Sequence, residues 1–139
     1  MSHTHEIAWA AGFFDGEGFV SIQERNHKEY TGYYLRIGVN HVAPEPLYEL
    51  LRLFGGTVVK DTKLPIGNRK QRHRWVTSTR NAANCLQQML PYMRNKNKVT
   101  ALALDFQRTI QEHKKEVPEE VQRYRANCKE EMQRLNSLD

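Results

Sequence analysis

The chain has 139 residues, which fits one domain with a real core. Its 21 Lys and Arg against 16 Asp and Glu leave a net charge of +5, which points to a polyanionic partner. No membrane span, secretory signal or low-complexity run is legible, and Cys85 and Cys128 fall in no metal-type spacing, so both read as reduced thiols of an intracellular protein. His3 and His5 sit at the start and the other four histidines are dispersed, which argues against a histidine metal cluster.

The first helix is expected to run to about Phe14, capped by Ser2 or Thr4, with Glu6 in its first turn. Ala8 and Gly12 share one face of it and would let another backbone come close. Asp15-Gly16-Glu17-Gly18 is expected to stop the helix, the two glycines taking conformations that side chains with Cβ avoid. A first strand covers roughly Phe19 to Arg25, with Val20 and Ile22 on one face and Ser21, Gln23 and Arg25 on the other. Asn26 to Gly32 connects it to a second strand, roughly Tyr33 to His41. There Leu35, Ile37 and Val39 are apolar, and Tyr34, Arg36, Gly38 and Asn40 face the opposite way.

Pro44-Glu45-Pro46 opens a second helix with a stripe of Leu47, Leu50, Leu51 and Phe54, ended by Gly55-Gly56. A third strand follows from Thr57 to Lys63, with Val59 inward and Lys60 and Thr62 outward. A turn at Pro65 to Asn68 leads to a fourth strand from Gln71 to Ser78, with Trp75 and Thr77 on one side and Arg72, Arg74 and Val76 on the other. Helices are expected over Arg80 to Leu90, Val99 to about Lys115, and Glu119 to Leu138. The last carries Val121, Tyr124, Cys128, Met132 and Leu135 on one stripe.

Ala10-Ala11-Gly12-Phe13-Phe14-Asp15-Gly16-Glu17-Gly18 closely resembles the LAGLIDADG motif of homing endonucleases and their RNA-maturase relatives. The order of elements after it also fits that family over most of the chain. The resemblance implies an α+β fold, an αββαββα core over about residues 4–115. Its antiparallel saddle-shaped sheet has helices on one face, and a helical extension covers about 116–139. One motif copy implies a homodimer with the motif helices packed across a two-fold axis.

The polar faces of the four strands pool Ser21, Gln23, Arg25, Tyr34, Arg36, Asn40, Lys60, Thr62, Arg72 and Arg74, side chains suited to a major groove. A strand of about eight residues at ~3.3 Å each spans ~26 Å, roughly eight base pairs at ~3.4 Å. Two subunits would then read a long, near-palindromic site on double-stranded DNA.

The resemblance also implies the chemistry. Glu17 matches the family's metal-binding acid, with the Gly16 carbonyl as second protein ligand. Mg²⁺ is the expected cofactor, with Mn²⁺ or Ca²⁺ able to substitute for binding. Asp15 matches the motif's earlier acid and is expected to satisfy backbone donors. Lys96 matches the catalytic-site lysine. His41 falls where the family has a polar, water-positioning residue. The reading is a site-specific double-strand DNA endonuclease, located in cytoplasm, nucleoid or an organelle. The alternatives are an RNA maturase and a non-catalytic DNA-binding regulator of the same fold.

Overall fold

In the computed structural model, residues 2–61, 67 and 70–138 are described. Ser2 caps the first helix, its Oγ accepting the His5 N–H at 3.2 Å. Helix α1 (His3–Glu17) buries Ile7, Ala10, Ala11 and Phe14 and passes straight into strand β1 (Gly18–Asn26). A hairpin returns as β2 (Thr31–His41), and α2 (Glu45–Phe54) follows. Then come β3 (Thr57–Lys60), β4 (His73–Ser78), α3 (Thr79–Met89), a 3-10 turn at Leu90–Tyr92, α4 (Asn97–Glu112) and α5 (Glu119–Asn136).

The four strands form one antiparallel sheet in the order β1-β2-β4-β3. Alternation divides its faces. Val20, Ile22, Leu35, Ile37, Val39 and Trp75 are buried together with side chains of all five helices. The outer edge of β1 is covered by α5: Asn136 Nδ2 donates to the Val20 carbonyl at 3.0 Å, and Lys129 Nζ bonds Glu24 at 2.9 Å. Covering an edge in this way removes a template for unwanted strand pairing.

Two close approaches pack the middle of the sheet. Trp75 is fully buried and donates Nε1–H to the Gly55 carbonyl at 2.8 Å. Gly38 lies opposite Phe19 and Val76. A Cβ at Gly38 would stand 2.5 Å from the Trp75 carbonyl and 2.8 Å from the Phe19 ring. The ring therefore occupies the space that a side chain at residue 38 would need.

Several expectations are corrected. α1 does not stop at Phe14 but runs through Glu17, so the acids sit on its last turn. Neither Gly16 nor Gly18 has a positive φ. Gly18 is extended, at φ −83° and ψ 169°, and glycine is required there by crowding: a Cβ would lie 2.5 Å from the Phe14 ring. In β3 it is Val58, not Val59, that packs on the core, because Val58 pairs with Trp75; Val59 pairs with Arg74 and is 44% exposed. Two adjacent valines left the parity ambiguous, and the pairing with Trp75 decides it. Lys60 consequently shares the register of His73 and the helix side of the sheet, not the polar face.

β4 starts at His73, so Gln71 and Arg72 precede it, although the Asp61 N–H still bonds the Arg72 carbonyl at 2.9 Å. Thr62 and most of the turn assigned to Pro65 to Asn68 lie outside the described residues. On α5, Arg125 is buried beside Cys128 and Met132, while Tyr124 is 40% exposed, so the expected stripe is rotated. Arg125 turns inward because it donates to the Thr109 carbonyl (2.9 Å) and the His113 carbonyl (3.2 Å) at the end of α4.

Gly38→Ala is expected to lower stability by about 1–3 kcal/mol, since the Trp75 carbonyl is fixed in the sheet and cannot yield. Urea unfolding checks it; a variant as stable as the parent would refute the close-approach account.

Candidate functional site

The last turn of α1 meets the segment that leads into α4. The Asp15 carboxylate accepts three backbone N–H groups there: Arg94 at 2.9 Å, Asn95 at 3.0 Å and Lys96 at 2.8 Å. The bonds also run back. Lys96 Nζ donates to the Asp15 carbonyl at 2.9 Å, and Asn95 Nδ2 to the same oxygen at 3.3 Å. Each partner thus satisfies groups that the other helix end leaves over: a carboxylate takes N–H groups before α4, and a cation takes a carbonyl at the negative end of α1. Burial alone would raise the Asp15 pKa. The Arg94, Lys96 and Asn95 N–H groups outweigh it, helped by the Lys96 charge, and hold the carboxyl below its usual range.

Glu17 stands two residues further on, about 200° around the helix from Asp15. It is exposed, and no hydrogen bond or ion pair engages its carboxylate among the described residues. The Gly16 carbonyl lies past the last helical hydrogen bond, which runs from the Gly18 N–H to the Phe14 carbonyl. A carboxylate beside the negative pole of a helix is poorly placed on its own and well placed to receive a cation. Gly12 and Gly16 are exposed, and a Cβ built on either meets nothing within 4 Å. With half-buried Ala8 they make an open, side-chain-free stripe on α1 next to Glu17.

His41 ends β2 on the helix side of the sheet. The Ala43 N–H donates to its Nδ1 at 3.0 Å, and its ring stands edge-on to Phe13 at 5.5 Å. Nδ1 also lies 3.1 Å from the Ala43 carbonyl, so either ring tautomer can engage residue 43. Among the described residues, no hydrogen bond joins His41 to Asp15, Glu17 or Lys96. The structure thus brings Lys96 to the motif turn with Asp15, Gly16 and Glu17, and leaves His41 against α1. No group of three His, Cys, Asp or Glu side chains able to hold a metal occurs among the described residues.

The open face of the sheet starts where α1 ends. Arg36 lies opposite Ser21 and Ser78, Gln23 opposite Tyr34, and Asn40 opposite Arg74. Gln23 Nε2 donates to Ser21 Oγ at 2.9 Å, and Ser21 Oγ to the Arg36 carbonyl at 3.2 Å. The Arg25 guanidinium lies 4.8 Å from the Tyr34 ring centre, and that of Arg36 lies 5.9 Å from Phe19. Arg74 Nε donates to Asn40 Oδ1 at 2.6 Å. Cations therefore stand on this face from β1, β2 and β4, while β3 contributes Thr57 and Val59. Arg72 is exposed just before β4. Val76 stands on the face as expected, and Phe19 and Ser78 belong to it without having been singled out in the sequence. Strict alternation was the signal for Phe19 and Ser78; the backbone donors of residues 94–96 had none.

Neither a protein-family model nor a curated protein matches the sequence. Solved structures do match the fold. The homing endonuclease I-CvuI, solved with the I-CreI target in the presence of Mg, superposes with a TM-score of 0.77 at 19% identity, covering 96% of this chain and 83% of that one. The archaeal intron-encoded homing endonuclease I-Vdi141I, solved with DNA, gives 0.82 at 11% identity, covering 96% and 86%. The LAGLIDADG homing endonuclease I-SmaMI, bound to cleaved DNA, gives 0.70 at 15% identity; 88% of this chain spans only 42% of that one.

Asp15→Ala is expected to lower stability at pH 7 by about 1–3 kcal/mol, because three donors lose their acceptor. Asp15→Asn keeps the shape and removes the charge. Since the folded pKa is depressed, the stability that ionised Asp15 contributes is present above about pH 4 and is lost as pH falls through the folded pKa. The gap between parent and Asp15→Asn in urea unfolding should therefore narrow as pH drops below 4. A pH-independent gap would contradict the clasp.

Proposed function

We propose that this chain, which has the fold of the LAGLIDADG homing endonucleases, is a site-specific double-strand DNA endonuclease acting as a homodimer. The resemblance read at residues 10–18 and the fold agree over nearly the whole chain. The observation that carries the reading is the division of labour on one helix turn. Asp15 is consumed by three backbone donors, and Glu17, two residues away, is exposed and without a partner among the described residues.

The donor set suits Mg²⁺, which takes one or two carboxylates and fills its remaining positions with water and phosphate oxygens. Glu17 and the Gly16 carbonyl would hold it. Bound there, the ion would supply charge neutralisation at the phosphate and an acidified water. One chain offers one such carboxylate; a second copy packed on the open stripe of α1 would bring another, one for each DNA strand. The remaining roles fall to the chain itself. Lys96 is oriented through its bond to the Asp15 carbonyl and keeps N–H groups free for a charged phosphate oxygen. His41, with Nδ1 held against Ala43, has Nε2 to offer the water around the site. The sheet, which carries Arg25, Arg36 and Arg74 on its open face, would lie along the major groove. A basic chain with this fold fits an enzyme that recognises a long target, as in intron homing.

Glu17→Gln is expected to reduce cleavage by at least about 10²-fold while retaining DNA binding. A plasmid-cleavage assay with Mg²⁺ on a target library, paired with a gel-shift measurement, tests it; undiminished cutting would remove Glu17 from the chemistry.

Gly12→Leu places a large side chain where the single chain has open space, so the fold should survive. Sedimentation of this variant is expected to show one subunit where the parent shows two. A dimer in both would rule out packing through this stripe.

A further inference from the structure

On the open face of the sheet, the Asn40 amide has its orientation fixed by a neighbouring cation. Arg74 Nε lies 2.6 Å from the Asn40 side chain, directly across the β2–β4 ladder. A guanidinium has donors only, so the atom facing it must be the amide oxygen. The Asn40 NH₂ group is thereby turned away from Arg74. An asparagine with both ends free matches adenine, accepting from N6 and donating to N7. One of the two acceptor sites of the Asn40 oxygen is spent on Arg74. With Nε engaged, Arg74 has its two terminal nitrogens left, a fork that fits the O6 and N7 acceptors of guanine. The pair together presents mostly N–H groups, with the guanidinium fork as its largest donor array.

Position on the sheet says where this pair would act. β1 begins at Gly18, directly after Glu17, and Gly18 is level with Val39. Asn40 and Arg74 therefore sit at the end of the sheet nearest Glu17. Arg36 is four residues outward along β2, about 13 Å, and Tyr34, which carries Arg25 on its ring, is about 20 Å outward. At ~3.4 Å per base pair these offsets correspond to roughly four and six base pairs.

We infer that the Asn40–Arg74 pair, led by the Arg74 fork, is a donor-rich reader that selects guanine, and rejects cytosine, at the innermost base pair contacted by the sheet in each half-site. This rests on the DNA-reading role proposed above. Cytosine offers an amino donor in the major groove and would set N–H against N–H, whereas guanine offers two acceptors to the fork. Arg25 and Arg36, held over Tyr34 and Phe19, read positions further from the cleavage turn.

The test is a binding selection from a randomised duplex library, run on the parent protein, Arg74→Lys, Asn40→Ala and Arg25→Ala, each checked for folding by circular dichroism. The parent should enrich guanine at the innermost specified position of each half-site. Arg74→Lys, which keeps the charge but loses the fork, should cut that preference on the order of tenfold and leave outer positions as they are. Asn40→Ala should weaken the same position, and Arg25→Ala only positions about six base pairs outward. Guanine retained in both Arg74→Lys and Asn40→Ala, cytosine enriched there by the parent, or a uniform loss across all positions would overturn the inference. A parent that enriches no sequence at all would overturn the DNA-reading role itself, and the inference with it.

Discussion

The Asp15 carboxylate, closed on the backbone of residues 94–96, is the constraint on which the site depends. It joins the end of one helix to the approach of another across a separation of about eighty residues. Charge-assisted hydrogen bonds of this kind contribute more than neutral ones, roughly 1.5–3 kcal/mol each where water is excluded and less at a partly open site. Because Lys96 and Asn95 return bonds to the Asp15 carbonyl, neither partner can rotate alone. Two acids two residues apart on a helix point in nearly opposite directions. Fixing the first against its own chain therefore directs the second outward. The exposure of Glu17 is a consequence of the capture of Asp15.

The sheet is built to keep its open face polar without loosening its core. Trp75 fills the helix side, and its backbone presses so near Gly38 that no Cβ fits. The vacancy on the open side is taken by Phe19, over which Arg36 lies. A structural need of the strands thus produces an aromatic platform among the cations, and a guanidinium resting on a ring loses less rotamer freedom when it binds. The hydrogen-bonded chain of Gln23, Ser21 and the Arg36 carbonyl restricts the neighbouring side chains in the same way.

Much of this is legible in the amino-acid sequence. Alternation assigned both faces of β1 and β2, because single apolar residues there are flanked by polar ones. The acid-glycine run marked the centre of the site. Where the pattern was degenerate, reading failed. Val58 and Val59 are adjacent and equally apolar, so the pairing with Trp75, not the sequence, fixes which turns in, and Lys60 changes face with them. Gly16 and Gly18 suggested left-handed turns, yet Gly18 answers to the bulk of Phe14 and Gly16 to open space. Tyr124 looked like core by spacing, but the carbonyls ending α4 draw Arg125 inward and rotate the helix. The partners of Asp15 were illegible for a different reason: backbone N–H groups exist at every non-proline residue and leave no mark in the amino-acid sequence.

The absence of a loop between α1 and β1 has a further consequence. Glu17 ends the helix and Gly18 begins the strand, so the exposed acid and the polar face belong to one continuous piece of backbone. Every residue outward along β1 adds a fixed ~3.3 Å, and the antiparallel register transfers the same scale to β2 and β4. The distance from the acid to each side chain on the face is therefore set by chain geometry rather than by a movable connection. A flexible joint at Gly18 would uncouple the two; the crowding of Phe14 against Gly18 and the clasp on Asp15 hold it from either side. The endonuclease proposed above, cutting a fixed number of base pairs from those it reads, would need this rigidity at the residue where helix becomes strand.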